Sequence, residues 1–100
     1  MSFSSNPDVE RKTLSILKIL NGMQKSAGSR VIARLLQDRG ISLTERAVRY
    51  HLRLTDERGL TDLVGNIDGR VITEKGMAEI KSALVSIFFT ISRLFPIQTL

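Results

Sequence analysis

One hundred residues, 42% of them hydrophobic and 25% charged, indicate one globular domain with a small core. The sequence has no cysteine and one histidine, which excludes disulfides and disfavours a zinc site built from protein ligands, so we expect no metal and no cofactor. The net charge of +5 favours an anionic partner, most often nucleic acid, and residues 25–58 hold eight basic and four acidic side chains, hence four of those five charges.

The N-terminal residues predict a tail followed by a helix. We expect residues 1–7 to form a flexible tail and residues 8–81 to form the folded domain. Asn6 is a favourable N-cap and Pro7 suits a first helical position, so the first helix should run to about Met23. No apolar signal segment is visible, and the composition is compatible with the cytoplasm.

A second helix is predicted from about Arg30 to Arg39, with Ser29 as its N-cap and Gly40 at its end. Backbone N–H groups at a helix start favour a phosphate. Ser29 and Arg30, with Lys25 in the preceding connector, are therefore candidate contacts to a DNA backbone. Plain capping without any ligand is an equal alternative.

The stretch from Ser42 to Gly59 predicts a third helix with a buried face and a charged face. Ser42 has capping-box spacing to Glu45, and Thr44 is a second candidate N-cap, so the cap stays open between them. Three arginines and a tyrosine on the outer face suit contacts to base edges and phosphates in a major groove, although a solvated charged face is the alternative. The candidate DNA-binding residues of this helix are Thr44, Arg46, Arg49, Tyr50 and Arg53.

Two short strands follow, at residues 60–64 and 70–73, around a turn rich in Gly, Asn and Asp, and they predict a β-hairpin. A hairpin directly after such a helix is the wing of a winged helix. Asn66 and Arg70 are the candidate wing contacts to DNA, and a solvated hairpin arginine is an equal alternative for Arg70.

A last helix should begin at Glu74, capped by Thr73, and stop at Pro96. Its apolar part is too short for a membrane span. We expect residues 82–100 to be a dimerisation segment, with folding back onto the core as the alternative. The candidate dimerisation residues are Leu84, Ile87, Phe88, Ile91 and Phe95.

Together these elements predict a mostly α chain with a small β-hairpin. The expected fold is a winged helix-turn-helix, with a three-helix core, a two-stranded wing and a C-terminal helix. Catalysis has little support, because His51 is the only histidine and no phosphate-binding glycine loop follows a strand. We expect His51 to be structural and the protein not to be an enzyme.

The run ERAVRYHLRLTDERGLTDLVGNIDGRVITEKG, residues 45–76, resembles the winged-helix domain of the NrpR-type archaeal nitrogen-regulation repressors. That domain family has relatives in ribonuclease R-type proteins. The resemblance implies a dimeric repressor that binds double-stranded DNA, with RAVRYHL as recognition helix and GRVIT as second wing strand. Thr55 stands where the family usually has an apolar residue, so its hydroxyl should loosen the packing unless it bonds to a helix carbonyl.

The resemblance ends near Lys81, before the effector domains through which such repressors respond to 2-oxoglutarate, so metabolite sensing is not implied. The sequence therefore predicts a sequence-specific transcriptional regulator, a repressor acting on an inverted-repeat operator. Its expected partners are double-stranded DNA and a second copy of the chain or a longer paralogue, with no membrane. The alternatives are a winged-helix docking module for another protein and an RNA-binding winged helix.

Overall fold

The computed structural model describes residues 7–23, 25–65 and 68–83. Its elements are α1 (Pro7–Gly22), α2 (Ser29–Asp38), α3 (Glu45–Glu57), β1 (Thr61–Val64) and β2 (Gly69–Ile72). A fourth helix, α4, covers residues 74–83. Three helices followed by a two-stranded antiparallel hairpin and a further helix confirm the predicted winged helix-turn-helix.

Several predictions fall on residues outside the described ranges. They concern the tail at residues 1–6, the wing residue Asn66 and most of the C-terminal segment. The predicted dimerisation residues are all in this group: Leu84, Ile87, Phe88, Ile91 and Phe95. None of the helices that the structure describes has the length and apolar character needed to cross a membrane.

The core forms because α1 is apolar on two sides. One side packs against α2 and α3 in a cluster of eight buried residues. Its members are Ile16, Ile19, Leu20, Ala27, Ile32, Leu36, Val48 and Leu52. On the other side, Leu17 packs with Leu60 before the wing and with Ile80 of α4. The helix-turn-helix and the wing are therefore both held by α1.

Both α2 and α3 end in the same hydrogen-bonded turn around a glycine. Gly40 and Gly59 have φ angles of +82° and +75°, which side chains other than glycine rarely adopt. The N–H of Ile41 donates to Leu36 O at 2.9 Å, and the N–H of Leu60 donates to Thr55 O at 2.8 Å. These are the long bonds of a Schellman motif, and they satisfy carbonyls that would otherwise lack a partner.

The start of α2 differs from the prediction. Ser29 is the first helical residue, and Gly28 occupies the N-cap position with extended backbone and no side-chain cap. The prediction that Ser29 is the N-cap was wrong because its hydroxyl donates instead to Asp68 of the wing, at 2.6 Å. Local capping preference has been overridden by a contact between distant parts of the chain.

The wing pairs Thr61 with Ile72 at one end and Val64 with Gly69 at the other. The connector before α2 adds a short piece of extended structure, because Ala27 forms a bridge with Arg70. The two residues exchange N–H···O bonds of 3.0 and 2.8 Å. The second wing strand is thus fixed to the start of the helix-turn-helix.

Candidate nucleic-acid interface

The helix α3 starts at a side-chain cap that only the structure identifies. Thr44 Oγ1 accepts the N–H of Ala47 at 3.0 Å, so Thr44 and not Ser42 is the N-cap. Thr44 itself remains exposed at the start of the helix. Its hydroxyl is therefore engaged with the backbone, and its carbonyl accepts the N–H of Val48 at 2.9 Å.

The two faces of α3 separate as the spacing predicted. Val48, Leu52 and Thr55 are each 0% exposed and pack inward. The outer side chains are all exposed: Arg46, Arg49, Tyr50 and Arg53. Four of the five α3 candidates thus share one accessible surface, which we call the α3 outer face.

The cations of the α3 outer face are largely uncompensated. Arg49 lies 3.4 Å from Glu45, but both side chains are about half exposed, so this pair contributes little and is screened by salt. Arg46 and Arg53 have no hydrogen-bond or ion-pair partner among the described residues. Free guanidinium groups on a convex helix are the groups that bind phosphates and guanine edges.

His51 fastens the inner side of α3 to α1. Its Nδ1 lies 3.0 Å from the hydroxyl of Thr13 in a buried contact. Burial lowers the pKa of His51 below its usual 6.5, helped by the charge of Lys12 and opposed by Asp8. The His51 ring also meets Tyr50 edge-on at a centroid distance of 5.4 Å, so the anchor supports an exposed residue of the outer face.

The hydroxyl of Thr55 is satisfied within the core. Thr55 Oγ1 donates to the Leu52 carbonyl at 2.8 Å and lies 2.8 Å from Thr61 Oγ1. Thr61 Oγ1 in turn donates to the Asp56 carboxylate at 2.6 Å. Each hydroxyl has a single proton, so the Thr55 proton is shared between the Leu52 carbonyl and Thr61 Oγ1 while Thr61 donates its own to Asp56. The bond back to a helix carbonyl is the condition under which this polar residue is tolerated at an apolar position.

Arg70 is buried rather than solvated. It is 8% exposed. Its Nη2 donates to Asp56 Oδ2 at 2.8 Å, and its Nη1 donates to the Asp68 carbonyl at 2.9 Å. The alternative of a solvated hairpin arginine was wrong, because two carboxylates of the protein hold this side chain inside. The DNA contact of Arg70 stays a prediction, and these ion pairs count against it.

The predicted phosphate position at the start of α2 is filled by the protein's own carboxylate. Asp68 Oδ2 accepts both the N–H and the hydroxyl of Ser29, at 2.8 and 2.6 Å. Burial acts to raise the pKa of Asp68, but these two bonds and the charges of Arg49 and Arg70 outweigh it and hold the pKa below its ordinary value. Ser29 is 0% exposed and both of its donors are used by Asp68, so the free protein offers no Ser29 donor to a phosphate. Its contact to a DNA backbone stays a prediction.

Other cations near the start of α2 remain accessible. Lys25 and Arg30 are exposed, as a backbone contact requires. Arg34 is exposed as well, one helical turn after Arg30, and the sequence reasoning missed it. The i, i+4 spacing from Arg30 was the available signal.

The described residues contain no group of three His, Asp or Glu side chains that could hold a metal ion.

Comparisons with known proteins agree with this geometry. A family model described as the ribonuclease R winged-helix domain matches residues 14–80. The chain is 43% identical over 91 residues to the global nitrogen regulator NrpRI of Methanosarcina mazei, covering 89% of this chain and 28% of that protein. It is 47% identical over 79 residues to the global nitrogen regulator NrpR of Methanocaldococcus jannaschii, covering 79% of this chain and 14% of that protein.

Global nitrogen regulator NrpR of Methanococcus maripaludis is 46% identical over 91 residues, covering 91% of this chain and 16% of that protein. The chain thus spans between 14% and 28% of the length of these relatives. Among solved structures, a PadR family transcriptional regulator from Eggerthella lenta superposes with a TM-score of 0.56 at 18% identity, covering 89% of this chain and 87% of that chain. At that identity the likeness shows the fold alone.

Proposed function

The chain belongs to the ribonuclease R winged-helix domain family, and on that premise we propose that it is a sequence-specific transcription regulator that binds double-stranded DNA. One observation carries the proposal: the α3 outer face presents Arg46, Arg49, Tyr50 and Arg53 to solvent from the second helix of a helix-turn-helix. A helix in that position is the one that enters the major groove. Similarity to proteins named global nitrogen regulators supports a role in nitrogen regulation.

Affinity and specificity would come from different residues. Lys25, Arg30 and Arg34 at α2 are exposed and suit phosphate contacts, which position the protein without reading sequence. Arg46 and Arg53, without partners among the described residues, are the candidates for base edges. Their free guanidinium forks match the two acceptors of guanine in the major groove.

We also propose that the protein acts as a cytoplasmic homodimer and represses by covering its promoter. Support for the dimer is the apolar pattern of residues 84–95 in the sequence, at helical spacing. Two α3 helices related by a dyad would meet half-sites about one helical turn apart, so the operator should be an inverted repeat. Pairing with a longer relative through the same segment is the alternative assembly. No catalytic step is proposed.

Selection from a pool of random double-stranded DNA at near-physiological salt tests the proposal. We expect an enriched inverted-repeat motif. Arg53→Ala should weaken binding to that motif by about 1–3 kcal/mol if Arg53 reads a base, and should reduce the salt slope by about 1 if it contacts a phosphate instead. Lys18→Ala, which removes the same charge from the exposed side of α1, is the matched control and should change neither quantity.

Two results would contradict the proposed recognition of DNA. If no motif is enriched and binding is weak and wholly salt-sensitive, the protein is not a sequence reader. If Arg53→Ala and Lys18→Ala behave alike, the α3 outer face does not contact DNA. Either result would favour a docking role in which the same face meets an acidic protein.

A further inference from the structure

Four residues from three parts of the fold form a connected set of charge-assisted hydrogen bonds, which we call the wing clamp: Ser29, Asp56, Asp68 and Arg70. Arg70 Nη2 and Nε donate to Asp56 Oδ2 at 2.8 and 3.1 Å, which ties β2 to α3. Arg70 Nη1 also lies 3.3 Å from Asp68 Oδ1. Asp68 then accepts two bonds from Ser29, which ties the hairpin to the start of α2.

The guanidinium of Arg70 is committed to these carboxylates. Nε, Nη1 and Nη2 all donate within the clamp, and the side chain is only 10% exposed. One positive charge faces two negative ones, so the clamp adds no attraction for a phosphate. Arg70 would have to break its bonds to Asp56 to reach DNA. Its contribution to DNA binding must therefore come through the geometry that it maintains.

Arg70 is buried and its two carboxylate partners are partly buried, so these ion pairs have lost part of their hydration. A buried ion pair adds little net stability, because desolvation offsets most of the Coulomb attraction. A guanidinium fork nevertheless fixes its carboxylate partners in one plane and at one angle. The clamp lies against the DNA-facing side, where Arg49, Arg53, Asp68 and Arg70 line a cleft of about 250 Å³. It thus joins the wing to the part of α3 that carries the exposed arginines.

We propose that the wing clamp is a positioning device that sets the angle between the hairpin and α3, and with it the spacing between their contacts on DNA. Asp56, Asp68 and Arg70 are positioning residues that do not touch DNA themselves. This inference rests on the proposed function for its effect on DNA. Its effect on the free protein does not depend on DNA binding.

The test uses the sign of a charge change. Asp56→Asn and Asp68→Asn each make the protein more positive, which by long-range attraction alone strengthens binding to DNA. If the clamp positions the wing, both variants bind the selected motif more weakly, by roughly tenfold, the equivalent of one lost charge-assisted hydrogen bond. Asp62→Asn is the matched control, because Asp62 is an exposed acid on the same hairpin. It should bind as well as the unaltered protein or slightly better.

Binding is measured well below the melting midpoint of every variant, so that a purely stabilising role leaves affinity unchanged. In the free protein, amide hydrogen exchange at Ala27 and Arg70, which share two backbone bonds, should be faster in Asp56→Asn and Asp68→Asn than in Asp62→Asn. Asp68→Asn serves alone if Asp56→Asn does not fold.

The outcomes separate the two proposals. Faster exchange with weaker binding supports the clamp as a positioning device. Binding by the clamp variants that equals or exceeds that of Asp62→Asn overturns it, and so does unchanged exchange, whether or not DNA binds. Failure of the proposed function is seen separately, in the absence of a selected motif for the unaltered chain.

Discussion

Replacing Gly76 with alanine tests the contact between α4 and the wing. A Cβ atom at this position would collide with the Leu60 carbonyl oxygen and lie 2.6 Å from Ile72 Cγ1. The Leu60 oxygen has little freedom to withdraw, because it accepts the N–H of Thr73 at 3.0 Å. Either α4 moves away from the hairpin or that hydrogen bond is lost.

The size of the effect follows from three contributions. Overpacking a well-filled site costs about 1–3 kcal/mol. Loss of the bond from Thr73 to Leu60 adds about 1 kcal/mol. Alanine also lowers the conformational entropy of the unfolded chain, which stabilises the folded protein by about 0.4–1 kcal/mol. We therefore expect Gly76→Ala to lower the free energy of unfolding by about 1–3.5 kcal/mol, and each kcal/mol should lower Tm by roughly 4–8 °C in a domain of this size.

Gly22→Ala is the matched control for thermal and urea unfolding. Gly22 ends α1, and a Cβ there would meet nothing within 4 Å. We expect this variant to be as stable as the unaltered protein or more stable by about 0.4–1 kcal/mol. Equal shifts for the two variants would refute the reasoning, because they would show that α4 does not approach the wing as closely as described.

Three further predictions concern α3 and its supports. Thr44→Ala should lower the free energy of unfolding by about 1 kcal/mol, measured with urea, and Ser42→Ala should leave it almost unchanged. The reverse order would assign the cap to Ser42. Burial lowers the pKa of His51 in the folded protein below its usual 6.5, so the unfolded chain binds more protons below pH 6.5. The contribution of the neutral imidazole to stability is therefore fully present above pH 6.5 and is lost as the pH falls towards the folded pKa. The slope stays below the one-proton limit of about 1.4 kcal/mol per pH unit, and a slope that persists in His51→Gln would point to another group. Thr55→Val should destabilise by about 0.5–1.5 kcal/mol, because it removes the bond between Thr55 and the Thr61 hydroxyl, which keeps its own bond to Asp56, whereas a gain in stability would show that apolar packing outweighs this loss.

Features that depend on neighbouring residues could be read from the sequence. The outer face of α3 follows from helical spacing, and exposure of Arg46 and Arg53 agrees with it. The ends of α2 and α3 follow from Gly40 and Gly59, because glycine is the residue that adopts a positive φ without strain. The hairpin follows from two short strand-forming runs around a turn.

Features that depend on residues far apart in the chain could not be predicted from the sequence. Serine is a favourable N-cap, so the sequence assigned that role to Ser29, but a carboxylate 39 positions away takes its hydroxyl. Arg70 was assigned to DNA because wing cations often contact it, and nothing local showed that Asp56, 14 positions earlier, would be its partner. Local patterns that predict helices and turns do not predict ion pairs that form only when the hairpin folds onto α3. The sequence left the cap of α3 open between Ser42 and Thr44, since both residue types can cap and only the backbone shows that Thr44 does.

The paired bonds between Ala27 and Arg70 also bear on the order in which the protein folds. They close a segment of chain, residues 28–69, that contains both α2 and α3. Closing so long a segment has an entropic cost that local helix formation does not have, so we expect α2 and α3 to associate early and β2 to join late. Before β2 joins, α3 is present but the wing is not, and the N–H of Ser29 lacks the Asp68 carboxylate that accepts it. The last strand to arrive therefore completes the start of a helix that precedes it by some forty residues, and we expect the wing to meet the α3 outer face only late in folding.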